Sequence, residues 1–398
     1  MLFATLAIGM LASCSKDSGS GIDGTDPVED TPMEINLGVK QAILKTENTK
    51  TRGIGGIGDL DGAQNVWNGE TLYIYAISSE PLDVVPTNEK ATAPSGSTSD
   101  AITWADNTKH FYYGGTSIYT FYGYHIDNAT TDGADPAPTG DATTGYSIPF
   151  KIDGTQDLMV AATDRTKDIE ASSRKDELTG KEANLYSAWS ARRAVTPNLV
   201  FKHLLSRLKF TVKAGNDGAT VAAGVSVKEI AVYSKSEGTL VVVPSADGTT
   251  NTQGLKDVAD LPADLKDATP FYLMEAPAPD AVTKDLVPLQ PVTANSVTDA
   301  APIGESMLVI PADTYQMVVT TSQEVNGNPQ TSTNVAILKE PDGVKGATFE
   351  AGNIYTINII VYGLKEIEVN ATLTAWKDGG SITIDPDDEP APSPAPQP

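Results

Sequence analysis

The sequence predicts an all-β protein built as two tandem antiparallel β-sandwiches. Three observations carry that expectation. Apolar and polar residues alternate at period two in one segment after another. The 398 residues include 34 glycines and 26 prolines, which punctuate the chain as turns do between short strands. A single stretch, 168–191, carries helical potential, so crossover helices for a parallel sheet are missing. The length allows two domains, each able to bury a core, and 40% of residues are hydrophobic.

The first strand is read in "MEINLGVKQAILK", where Ile35, Leu37 and Val39 share one face and Ile43 continues the apolar pattern. "ETLYIYAIS" (70–78) follows, with Leu72, Ile74 and Ala76 opposite Tyr73 and Tyr75. "TSIYTFYGYHI" (116–126) is rich in the aromatic and β-branched residues that suit a pleated surface. "DLMVAAT" (157–163) reads as a buried strand, and "NLVFKHLLSRLKFTVKAG" (198–215) as a long one with an interruption or a helical turn near Leu204, Leu205 and Leu208. Further strands are read at 225–234, 238–244, 305–312, 315–322, 354–364, 367–376 and 381–385. The boundary between halves is placed at "RRAVTPN", giving one sandwich over 53–195 and a second over 196–365. The tail 386–398, rich in Pro and Asp, has the composition of a disordered segment.

The formal net charge is −24. No basic cluster is dense enough to neutralise phosphates, which argues against nucleic acid and anionic lipid headgroups as partners. The sole cysteine is Cys14, behind the apolar run "LFATLAIGMLAS" and directly after Leu11-Ala12-Ser13. The run is too short to span a bilayer as a stable helix, and the small residues before Cys14 resemble a bacterial lipobox. On that reading 1–13 is a lipoprotein signal peptide. Cys14 then takes a diacylglycerol, and 14–52 is a lipidated tether and removable strand ending in "TKTRGIGG" (49–56). With Cys14 consumed, no thiol is left for a disulfide or for catalysis.

No catalytic constellation assembles. His110, His125 and His203 stand in separate strand-like contexts without metal-ligand spacing, and His203 reads as a structural histidine. No nucleophile elbow, phosphate-binding loop or zinc helix is present. "GDLDG" (58–62) and "DPDDE" (385–389) lack the ligand spacing of a calcium loop. The chain is therefore read as non-catalytic, with no metal and no cofactor.

Several of these segments together resemble the fimbrillin family, the subunits of type V pili on Bacteroidetes cells. The matches are the lipobox at Cys14, "EINL…TKTR" ahead of Arg52, "DLMVA" before "LVFKHLLSRLKFTV", "AGNIYTINIIV", and "VNATLTAWKDGG" with Trp376. The resemblance spans about residues 34 to 384 and implies two transthyretin-like β-sandwiches. It also implies an outer-membrane lipoprotein precursor matured outside the cell by an arginine-specific, trypsin-like protease. The cut would fall between Arg52 and Gly53. Removing the strand with Ile35, Leu37, Val39 and Ile43 would leave a groove for the C-terminal strands of a neighbouring subunit. The donor residues implied here are Ile367, Val369, Ala371, Leu373, Ala375 and Trp376, within 366–385. An ordinary terminal hairpin is the alternative for that segment. The partners implied are other fimbrial subunits, in a filament serving adhesion and biofilm formation. The competing reading is a non-polymerising surface lipoprotein or tip adhesin, with Tyr112, Tyr113, Tyr119, Tyr122 and Tyr124 exposed to bind glycan or host protein.

Overall fold

The structure, a computed structural model, describes residues 32–41, 67, 69–79, 86–95, 101–112, 117–130, 135–216, 224–246, 252–277, 286–339, 341, 344, 346–364 and 366–374. The chain begins with β1 (Met33–Glu34), β2 (Gly38–Gln41), β3 (Thr71–Ser78), β4 (Glu89–Thr92) and β5 (Thr103–Trp104). β6 (Phe111–Tyr112), β7 (Tyr119–Ile126), β8 (Thr139–Asp141), β9 (Gly145–Lys151) and β10 (Leu158–Ala162) follow. Three short helices come next: α1 (Arg165–Ala171), α2 (Lys175–Leu178) and α3 (Ala188–Ala191). They occupy the one stretch in which the sequence predicts helix. Asp164 caps α1 by accepting from Thr166 N and Lys167 N, and Ser187 forms a capping box with Ser190 at α3.

Beyond the helices run β11 (Asn198–His203), β12 (Ser206–Ala214), β13 (Ser226–Tyr233), β14 (Glu237–Val243) and β15 (Gly254–Lys256). Six two- or three-residue strands come next: β16 (Phe271–Tyr272), β17 (Met274–Glu275), β18 (Val287–Pro288), β19 (Val292–Thr293), β20 (Ala301–Pro302) and β21 (Met307–Val309). The last four are long: β22 (Thr314–Val325), β23 (Asn328–Lys339), β24 (Ile354–Gly363) and β25 (Glu366–Thr374).

A seven-stranded sheet in the order β2-β11-β10-β7-β3-β4-β5 dominates the first half. Both of its faces are buried. One face carries Leu72, Ile74, Phe121, Met159 and Phe201 into a core closed by Ile169, Leu185 and Tyr186 of the helical stretch. The other presents Tyr73, Tyr75, Tyr124 and Val160 to Ile148 and Phe150 of β9 and Leu240 and Val242 of β14. β9 and β14 belong to a four-stranded sheet, β15-β14-β9-β8. The same core runs on between β20-β12-β24-β25, with β21 on β12, and β16-β13-β22-β23, with β19 on β13. Gln253 ties the two large layers by donating through Nε2 to Ala161 O (2.8 Å) and Val242 O (2.9 Å).

The all-β sandwich architecture is as expected, with two departures in detail. Two ladders are parallel, β2 on β11 and β12 on β24, where only antiparallel pairs are expected. The pairing also crosses the boundary placed at 195/196. β11 bonds to β10 and β2 of the first sheet, while β9, from the first half, bonds to β14. The chain changes sheets at Leu204–Leu205, between β11 and β12. Alternation shows which face of a strand is buried but carries no information about its neighbour, so a strand next to a sequence boundary can fall to either side.

Candidate functional site

Residues 33–41 form the seam of the first sheet. β1 pairs with β6, matching Met33 to Tyr112 and Glu34 to Phe111. Ile35 N donates to His110 O (2.8 Å), and Trp104 Nε1 reaches Ile35 O at 3.4 Å. Ile102 N donates to Leu37 O (3.1 Å), and Gly38 bridges Ala101. On the opposite flank Gly38 N donates to Pro197 O (2.9 Å), and residues 38–41 run parallel to Asn198–Phe201. Within this segment β2, the end strand of the seven-stranded order, lies between β11 and residues just before β5, the strand at the other end. The two ends of the sheet are thus linked by one bridge and one backbone hydrogen bond, which covers part of each edge.

The side chains follow the alternation read in the sequence. Ile35, Leu37 and Val39 are 1%, 2% and 1% exposed, all within the core under the first sheet. At about 1.5–3 kcal/mol each, their burial contributes roughly 5–9 kcal/mol, an upper estimate because the unfolded chain already buries some of this surface. The exposed ion pair Lys109–Glu34 (2.8 Å) adds little beside that. Ile43, Arg52, Gly53 and Cys14 lie outside the described residues.

The "HLLSRLKF" stretch, the most specific part of the resemblance, is the crossover between sheets. His203 ends β11 with Nδ1 2.6 Å from Asp157 Oδ2. Leu205 and Leu208 are fully buried, Ser206 Oγ donates to Glu350 O (2.8 Å), and Arg207, also buried, donates through Nε to Ser306 Oγ. His203 is therefore structural, as its apolar setting suggests. His125 lies one strand beyond, since Met159 pairs with both histidines.

His125 is buried, with Nδ1 2.8 Å from Thr71 O and Nε2 3.0 Å from Asp127 Oδ1. Burial pushes its pKa down. Asp127 outweighs this through its hydrogen bond and its charge, and Thr71 and Asp157 add to it, so the pKa rises from 6.5 to about 9. A folded-state pKa above the unfolded value stabilises fully below about pH 6.5, and that stability is lost as pH rises through about 9. The expected loss is on the order of 3 kcal/mol. Urea unfolding of wild type at pH 6 and pH 9.5, beside His125→Gln, measures it; an equal pH response in both proteins would refute the assignment.

The C-terminal strand lies in the second half's own sheet. β25 pairs antiparallel with β24 over its whole length, placing Ile359 against Val369 and Ile357 against Ala371. Ala371 is buried, and Ile367 and Val369 are half-buried against the core. Leu373 is in the strand by its backbone, opposite Tyr355, while Ala375 and Trp376 lie outside the described residues. Gly363 pairs with Glu366, so the connection between the two strands is tight.

The tyrosines offered as an exposed recognition row are a correction. Tyr112, Tyr119 and Tyr124 are 1%, 0% and 0% exposed, Tyr122 is half-buried, and Tyr113 is not among the described residues. Tyr112 packs edge-on against Tyr119 and Phe121, and Tyr73 stacks on Tyr124 at 5.0 Å. The first sheet is covered on both faces, so either side of this strand is interior. Among the described residues no group of three metal-ligating side chains converges, and no helix is long and apolar enough to cross a membrane.

Fold and site define an all-β protein whose first sheet is completed by a strand from near the beginning of the chain. The chain belongs to the fimbrillin-like family, whose model matches residues 62–376. That membership makes it a protein of the fimbrial class. Among solved structures it is similar to one assigned to cell adhesion from Bacteroides uniformis, with 16% identity and a TM-score of 0.43 over 86% of this chain and 98% of that one. A second, also assigned to cell adhesion, from Bacteroides ovatus, has 12% identity and a TM-score of 0.41 over 88% and 99%. A fimbrial assembly protein from Parabacteroides distasonis has 9% identity and a TM-score of 0.32 over 89% and 100%. No curated protein matches the chain.

Proposed function

We propose that the chain is a fimbrial subunit, exported as a lipoprotein through Cys14 and assembled with other subunits by protease-triggered strand exchange in a filament for adhesion and biofilm formation. The observation that carries this reading is the seam itself: residues 33–41 are hydrogen-bonded on both flanks and buried by Ile35, Leu37 and Val39. While the chain is continuous, the segment is held at an effective concentration of about millimolar, which is about a thousandfold, or roughly 4 kcal/mol, ahead of a competing strand present at about micromolar concentration. Cutting after Arg52 removes that advantage. The seam then stays only by its own contacts, and a longer or better-packed strand from a neighbour displaces it. Ile367, Val369, Ala371, Leu373, Ala375 and Trp376 are the donor positions in this scheme. β25 is an edge strand, so its departure opens a single ladder.

One observation favours a second reading. The tight Gly363–Glu366 turn holds β25 to β24, which suits a subunit that accepts a strand but donates none. Such a subunit ends a filament as a tip adhesin, or remains a surface lipoprotein binding glycan or host protein. The test is to treat the purified precursor with an arginine-specific protease. Exchange is expected to yield a new terminus at Gly53 and SDS-resistant ladders, and Arg52→Ala is expected to yield neither. Ladders from Arg52→Ala would overturn the trigger, and cleavage at Gly53 without self-association would favour the second reading.

A further inference from the structure

The seam and the C-terminal strand are not the only edges of this molecule. β23, twelve residues long, ends the order β16-β13-β22-β23; it lies near β25, but no strand among the described residues pairs with its outer edge. Its register with β22 fixes which of its peptide groups face outward. The two strands are joined by Asn326-Gly327, with φ of 53° and 76°, a two-residue type I′ turn. In such a hairpin Val325 and Asn328 exchange both ladder bonds, and the pattern then alternates. Gln330, Ser332, Asn334, Ala336 and Leu338 bond inward to β22. Thr331, Thr333, Val335, Ile337 and Lys339 therefore turn both N–H and C=O away from the sheet. Pro329, which has no N–H, falls on an outward position, as this alternation requires.

The side chains along this edge are unusual for one left open. Natural edges are guarded by charges and prolines. Here Pro329 and Lys339 stand at the ends, and nothing from Gln330 to Leu338 is charged. Val335 is 62% exposed and Ile337 53%. Val335 also ends an in-register row on the outer face, Tyr272–Ala231–Val318–Val335, with Tyr272 itself 49% exposed.

We infer that the β23 edge is a self-pairing site, and that two copies of this chain join there antiparallel about a two-fold axis at Val335. A copy fits for two reasons. A chain of net charge −24 repels another copy over most of its surface, and an uncharged edge is where two can approach. The edge is also self-complementary in one register. Val335 faces Val335, Thr333 faces Ile337 and Thr331 faces Lys339, each pair bringing outward N–H and C=O groups into bonding position. That register places no like charges opposite one another and leaves Pro329 beyond the paired stretch. It also carries the Tyr272–Val335 row unbroken from one copy into the next. This contact pairs with neither the seam nor β25, and because β23 lies near β25 the contact is tested with strand exchange blocked.

The experiment uses the full-length chain with Arg52→Ala, which blocks the proposed cut, and Cys14→Ser, which removes lipid and thiol together. Sedimentation equilibrium is expected to show a monomer–dimer equilibrium. Val335→Lys, which sets two cations across the axis, is expected to weaken it tenfold or more. Val335→Pro is expected to do likewise, because it deletes an N–H that makes no bond within the chain. Unchanged circular dichroism and thermal midpoint verify the fold of both variants. Under mild oxidation Val335→Cys is expected to form a covalent dimer, and Tyr272→Cys, on the opposite edge strand, to remain monomeric. A chain that is monomeric throughout, a dimer indifferent to both Val335 variants, or equal cross-linking at the two cysteines would each overturn the inference. Monomer alone, with an unrelated extended peptide protecting the β23 amides from exchange, would assign the edge to a different partner.

Discussion

Leu37→Ala should lower the unfolding free energy by about 3–4 kcal/mol, within the range for removing a buried leucine from a packed core. Leu37 is 2% exposed, and both flanks of its segment are bonded, so the surroundings have little freedom to collapse into the space left. The backbone bond from Ile102 N to Leu37 O survives the change, which makes the loss a matter of packing. A conservative change beside it, Ile35→Val, should cost about 0.5–1.5 kcal/mol. Urea unfolding measures both. The same substitution has a second readout once the chain is cut after Arg52. If the seam is then held by its contacts alone, losing 3–4 kcal/mol should speed its release by a factor of about 10² to 10³. A change below about 1 kcal/mol in unfolding would mean that the seam is an accessory to the first sheet and not a part of it.

Asp168→Ala should destabilise the first half by about 2–4 kcal/mol, because three donors are left facing an apolar methyl. The Asp168 carboxylate is buried and accepts from Tyr186 Oη (2.6 Å), Asn198 N (2.9 Å) and Asn198 Nδ2 (2.8 Å). Tyr186 is itself interior and left-handed at φ 61°, and burial, followed by its bond to Asp168, pushes its pKa well above the ordinary 10. Asn198 opens β11, and Gly38 lies opposite it in the parallel ladder. Loosening Asp168 should therefore loosen the strand that holds the seam. Asp168→Asn keeps an acceptor for Tyr186 and should cost less than the alanine. Thermal and urea unfolding of the two variants check the order; equal effects would show that bulk, not acceptance, matters at this position.

Most long strands were legible in the sequence because one or both faces are apolar at period two. Leu72 to Ala76, Leu158 to Ala161 and Ile354 to Val361 all sit where the alternation puts them. β23 is not legible in the sequence because it opens with Asn-Pro-Gln-Thr-Ser-Thr and buries only Leu338 well, so it has no apolar face to announce it. The Asn326-Gly327 pair was the available signal, since that dipeptide after an alternating run marks a tight hairpin. In β9, Tyr146, Ile148 and Phe150 do alternate with Ser147, Pro149 and Lys151, but a proline inside a run argues against a strand, and its pairing with β14 is what organises it. The tyrosine row misled in the opposite direction. A row of tyrosines suggests a surface, and here Tyr112 and Tyr119 lie in the core under one face of the first sheet while Tyr122 and Tyr124 face the core on the other.

The sequence by itself determined the local facts: that the chain is all-β, which faces are apolar, where helix is possible, that Ile35, Leu37 and Val39 point one way, and that His203 is structural. Tertiary structure alone decided the neighbours. Gly38 beside Asn198 in a parallel ladder, β9 with β14, and β11 in the first sheet are pairings between segments far apart in the chain. The physical reason is that alternation encodes burial, which each strand satisfies through its own side chains. Backbone hydrogen bonds are chemically alike at every residue, so the choice of partner rests on which faces pack together once the whole chain is in place.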